Sequence, residues 1–229
     1  MPAQAPGLFT GGANVIAVLI LLAEFGMFRQ ALVRDQVRLY AAQAGLISVL
    51  AIIVAAVRHL PELYVLAVLS AGLKVVLIPV VIHRLLRRDE PADAGGLGDI
   101  AGSGGMSLTT TILLAIVVAA FGFFSAGRLP LPGGSAPRIA FSVSVAVVLV
   151  SFVLMIHRRD VISQAIGLFS LENGISLAAL VVAASLPLIL EVALLFDLLV
   201  AVIVFGLLIR IHHGRAESLS TTELTSLRG

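Results

Sequence analysis

Long apolar runs, each closed by a charged or Pro/Gly-rich break, recur along the whole chain and constrain its fold more than any other feature. About 20 apolar residues in a helix cross the hydrocarbon core of a bilayer. Seven runs approach or exceed that length, at about 13–32, 37–57, 62–86, 107–126, 139–157, 160–184 and 188–211. In lipid every backbone N–H and C=O needs an internal partner, which a helix supplies within one segment. The expectation is an all-α, polytopic transmembrane helix bundle of about seven spans. Only 12% of the residues are charged and 59% are hydrophobic. Soluble domains carry about 25% charged residues, so the composition argues against a soluble domain with a large core.

The arginines orient the bundle. Arg29, Arg34, Arg38, Arg84, Arg87, Arg88, Arg158, Arg159, Arg210, Arg215 and Arg228 fall on one side of the expected topology. Arg58, Arg128 and Arg138 fall on the other. The positive-inside rule then places the N-terminus outside and the C-terminus inside. The net charge of +2 does not point to nucleic acid, and no Trp and only two Tyr are present. The chain has no cysteine, which excludes disulfides and thiolate-held iron–sulfur clusters on it. The first twelve residues are Gly/Pro-rich and lack a positive charge, so the first apolar run is expected to be retained rather than cleaved as a signal peptide.

The breaks divide the chain. Residues 1–90 read as an N-terminal three-helix unit, 91–106 as a flexible Gly/acid-rich cytoplasmic loop and 107–127 as a linking transmembrane helix. Residues 128–213 read as a C-terminal three-helix unit and 214–229 as a cytoplasmic tail. The stretch RDQVRLYAAQAGL at 34–46 loosely echoes RDVISQAIGL at 159–168, as two related units would.

Ionisable side chains inside such spans are costly, about 2.5–3.5 kcal/mol for an acid at a helix centre, and are functional candidates by default. Four are expected near mid-span: Glu24, Lys74, Glu172 and Asp197. Lys74 is the only lysine in the chain. Carboxylates and a lysine at similar depth suit a proton relay through bridging waters, with Gln43, Gln164, Ser170 and Asn173 as polar neighbours. The same residues suit a static ion pair that locks helices together. Glu191 falls close to the outer surface and reads as an interface residue or an exit-side carboxylate. The histidines lie at span ends, where snorkelling is expected; His83 and His157 are placed to load protons from the inner side. Pro79, five residues after Lys74, removes a helical hydrogen bond to Val75 and predicts a kink. No Walker loop, dinucleotide fingerprint, GxSxG elbow or HExxH occurs.

The stretch RRDVISQAIGLFSLENG at 158–174, an acid-bearing last helix, LKVVLIP at 73–79 and a tail ending SLRG carry a resemblance. Together they resemble hydrogenase 4 component E, a membrane subunit of formate hydrogenlyase and related energy-converting [NiFe]-hydrogenase complexes. The last three spans are also similar to the K subunit of complex I and the C subunit of Mrp-type cation/proton antiporters. In those proteins a glutamate follows shortly after a Gly-Leu pair. Here Gly167-Leu168 is followed by Phe169, and the acid arrives one turn later at Glu172. The second family acid is best matched by Asp197. The resemblance implies a membrane-arm subunit of the bacterial or archaeal cytoplasmic membrane, passing protons beside an antiporter-like subunit. Nickel–iron and iron–sulfur centres would sit on partner subunits. A structural scaffold subunit and a subunit of a cation/proton antiporter are the alternatives.

Overall fold

The computed structural model describes residues 5–88, 107–129 and 137–182, together with Val200 and Ile203. The expected seventh span with Glu191 and Asp197, the loop 91–106 and the tail 214–229 lie outside these residues, apart from the two isolated positions. The described chain is helical, with no strand among the described residues. Its elements are α1 (Ala5–Arg29), α2 (Val33–Arg58), α3 (Pro61–Ala71), a π-helical turn (Gly72–Leu77), α4 (Ile78–Arg88), α5 (Leu108–Gly127), α6 (Arg138–His157) and α7 (Val161–Val182). Six helical segments are long and apolar enough to cross a membrane: Thr10–Arg29, Val33–Val57, Pro61–Arg84, Leu108–Gly127, Arg138–His157 and Val161–Val182. They agree with the first six expected spans, as in a multi-pass membrane protein.

Helices α1, α2, α7 and α6 form a ring in that order, each packed on the next. Outside the ring, α5 lies on α6, and α3, the π turn and α4 lie on α2. Hydrogen bonds at both ends fix α1 parallel to α6. At one end Asn14 Oδ1 accepts from the Ala140 N–H at 3.0 Å, satisfying one of the orphan donors in the first turn of α6. At the other, Arg158 Nη2 donates to the carbonyls of Met27 (3.2 Å), Phe28 (3.2 Å) and Gln30 (2.8 Å) at the end of α1. These carbonyls carry the negative end of the helix dipole, which suits a guanidinium. Burial lowers the pKa of Arg158, and the nearby Asp160 carboxylate works against that shift.

Association of helices in lipid depends on close packing rather than on apolar burial. Helix α6 is approached at glycines. A Cβ on Gly122 would stand 3.1 Å from Ala146 Cα, and one on Gly174 would stand 3.1 Å from Val148 N. A Cβ on Gly167 would meet Met155 Cγ at 2.6 Å. The interior divides into two apolar clusters. One, toward the Arg158 end, contains Met27, Phe28, Tyr40, Leu154 and Phe169. The other contains Ile16, Ile20, Val54, Val143, Val147 and Leu177.

The Pro79 kink takes a definite form. The helix widens into a π turn before the proline, and the Ile78 N–H donates to the Leu73 carbonyl, five residues back. Such π turns often mark functional sites. Lys74 lies inside it.

Candidate functional site

A buried polar layer separates the two apolar clusters, and each helix of the ring contributes one side chain to it. Glu24 comes from α1, Gln43 from α2, Ser151 from α6 and Ser170 from α7. All four are completely buried. Gln43 Nε2 donates to Glu24 Oε2 at 2.8 Å and to the Ile20 carbonyl at 3.0 Å. Ser151 Oγ lies 3.0 Å from Glu24 Oε1 and 2.9 Å from the Val147 carbonyl. Ser170 Oγ bonds to Glu24 Oε2 and lies 2.9 Å from Gln43 Oε1. No ion pair to Glu24 is present among the described residues.

A second centre lies on the next turn of α7. Lys74 Nζ is 4.0 Å from Glu172 Oε2, with both side chains buried. The same nitrogen lies 3.5 Å from Asn173 Oδ1 and 3.5 Å from Ser176 Oγ. Residues three and four apart neighbour each other on a helix, so Ser170 and Asn173 put the two centres on adjacent turns of α7. The result is a buried polar track: Glu24 and Gln43, then Ser170, then Asn173, then Lys74 with Glu172.

Glu24 lies on α1, five residues before its last residue, Arg29, and within the apolar segment Thr10–Arg29. Some expectations need correction. Gln164 is exposed and donates to the Arg158 carbonyl at 3.0 Å; it serves the turn between α6 and α7, not the polar track. His157 does not snorkel. It is buried, its Nδ1 lies 3.0 Å from Thr111 Oγ1 on α5, and its ring centroid is 6.4 Å from that of Phe28. His83 is half-buried, with Nδ1 2.8 Å from the carbonyl of Pro79 one turn back on its own helix. Sequence reasoning missed Ser151 altogether, because nothing distinguishes it from the other serines of α6.

Comparison with known proteins adds little. No protein-family model matches the chain, and no solved structure is similar to it. Over 69 residues the chain is 42% identical to the uncharacterized protein Rv0085 of Mycobacterium tuberculosis, covering 30% of this chain and 31% of that one. The chain thus matches less than a third of the length of that relative.

Proposed function

We propose that this chain is a membrane-arm subunit of a complex I-like energy-converting hydrogenase or formate hydrogenlyase. In that role it relays protons through charged residues inside the membrane and bridges neighbouring subunits, one of them antiporter-like. The observation that carries the relay is the contact between Lys74 and Glu172, buried and one turn of α7 from the Glu24 layer. Ionisable groups that expensive to bury belong by default to ion or proton pathways. The class of complex comes from the resemblance of residues 158–174 to hydrogenase 4 component E. Redox chemistry falls to partner subunits holding nickel–iron and iron–sulfur centres, in keeping with a chain that lacks cysteine. The remaining features of the proposal are a seventh span carrying Asp197, Glu191 toward the outer surface, the N-terminus outside, and a bacterial or archaeal cytoplasmic membrane.

The test is Glu172→Gln in the assembled complex. The expected outcome is normal assembly with hydrogen metabolism uncoupled from proton movement. Normal coupling would sink the relay. A scaffold role is the second reading, in which the buried Lys74 and Glu172 only hold their helices together. If the combined Lys74→Met and Glu172→Met change spares both assembly and proton movement, the scaffold reading wins. Hydrogenase large-subunit genes beside this one favour the first reading, and antiporter genes alone favour an antiporter subunit.

A further inference from the structure

Gln43 of α2 meets Ser170 of α7 with Oε1 and Oγ 2.9 Å apart. Seven residues earlier on each helix stand Gln36 and Ser163, also fully buried. Seven residues are two helical turns, which return a side chain to within about 20° of the same face. Helices α2 and α7 pack together, and both start beside the Arg158 clamp on Gln30. Gln36 and Ser163 therefore continue the Gln43–Ser170 seam about 10 Å toward that end. There the pattern changes. Gln36 Oε1, Ser163 Oγ and Arg158 Nε are all buried and have no hydrogen-bond partner among the described residues.

The surroundings fix each of these atoms. Gln36 Nε2 donates to the Gln30 carbonyl at 3.1 Å, which leaves Oε1 pointing elsewhere as an acceptor. Arg158 Nη2 donates to the same carbonyl at 2.8 Å, so the amide and the guanidinium stand side by side. The hydroxyls of Ser48, Ser144 and Ser151 each bond to a carbonyl three or four residues back. Ser163, the third residue of α7, does not, although Asp160 Oδ1 holds its backbone N–H at 2.7 Å. Arg158 and Ser163 each adjoin an exposed residue, Arg159 and Gln164. Buried polar groups are almost always bonded, and ordered water fills the role where protein does not. Water suits this set: it accepts from Arg158 Nε, donates to Gln36 Oε1 and bonds either way with Ser163 Oγ. Three bonds are typical of a buried water. An anion would be repelled by the Gln36 oxygen.

We infer that Gln36, Ser163 and Arg158 bind water inside the Arg158 end of the α2–α7 seam, and that this site is the water intake for the Glu24 layer. That end is the inner side in the orientation proposed above. Tyr40, fully buried, lies between the two levels on α2, four residues after Gln36 and three before Gln43. The intake role deepens the proton-relay reading and rests on it, while the presence of water at the site does not.

Magnetisation transfer from water, read by NMR on the full-length chain in lipid nanodiscs, tests the site. We expect transfer to the Arg158 Nε–H signal, which Arg158→Lys removes and so identifies. Ser163→Val, which replaces the hydroxyl by a methyl group, should weaken the transfer severalfold. Ser163→Thr, which keeps the hydroxyl, should not. Absence of transfer in the unaltered protein, a measurement that needs no functional variant, would overturn the site. In the assembled complex Ser163→Val should slow proton movement severalfold with assembly intact, and an unchanged rate would overturn the intake role. Loss of coupling in Glu172→Gln without water transfer to Arg158 would overturn this inference and leave the relay. Transfer together with normal coupling in Glu172→Gln would support the water site and remove the relay.

Discussion

Lys74 Nζ stands 4.0 Å from Glu172 Oε2, and both side chains are buried where the π turn meets α7. Neither helix presents the other charge by accident of sequence, since the two residues lie 98 positions apart. The π turn sets the direction of the lysine, and Asn173 and Ser176 share its ammonium group.

Removing one member of this pair takes a buried, oppositely charged neighbour from the other. Lys74→Met should destabilise the protein by about 3–5 kcal/mol, the range for breaking a buried pair. Adding Glu172→Met should restore much of that loss. Urea unfolding in detergent micelles of the single and double variants checks both statements; equal stability of the two would show that the contact carries no coupling.

Glycine positions separate close packing from helix propensity. Gly174→Ala puts a Cβ 2.8 Å from Val148 Cγ2 and 3.2 Å from the Ser144 carbonyl. It should cost about 1–3 kcal/mol through overpacking. Gly45 meets nothing within 4 Å, so Gly45→Ala should be neutral or stabilising by up to about 1 kcal/mol. Thermal unfolding of the two variants side by side gives the comparison, and equal shifts in Tm would contradict it.

Arg158 ties the turn between α6 and α7 to the end of α1. Replacing it with alanine strands three carbonyls and should cost about 1.5–3 kcal/mol, the range for a charged hydrogen bond. Arg158→Lys should rescue little, because an ammonium lacks the planar fork. Amide hydrogen exchange at Met27 to Gln30 reads the effect locally. Unchanged protection there in Arg158→Ala would show that the clamp is idle.

On α5, Thr111 Oγ1 meets the buried His157 ring nitrogen and also donates to the Ser107 carbonyl at 3.0 Å. Thr111→Val keeps the shape but leaves the imidazole without that partner, at a cost of about 1–3 kcal/mol. Thr111→Ser should keep most of the stability. Chemical denaturation distinguishes them, and equal losses would assign the effect to the missing methyl.

Much of this molecule was legible before any fold was known. Uninterrupted apolar length predicts a span because it depends only on the local run of residues, and six described helices fall where the runs do. Lys74 and Glu172 were legible for a similar local reason: a charge in such a run is expensive wherever the helix ends up. Pro79 announced a disturbed helix, although not that the disturbance would be a π turn holding Lys74.

The tertiary structure decided which polar residues meet. Gln43 and Gln164 read alike in sequence, yet one is sealed in the Glu24 layer and the other is exposed at a turn. Ser151 gave no signal because a helical serine can satisfy itself on the carbonyl four residues back, as it also does here with Val147. Local composition fixes that a segment is a helix and that it lies in lipid. Rotation about each helix axis, about 100° per residue, is set by contacts between segments distant in sequence. That rotation brings Glu24 to Ser170 across 146 residues, and only packing of all four helices at once determines it.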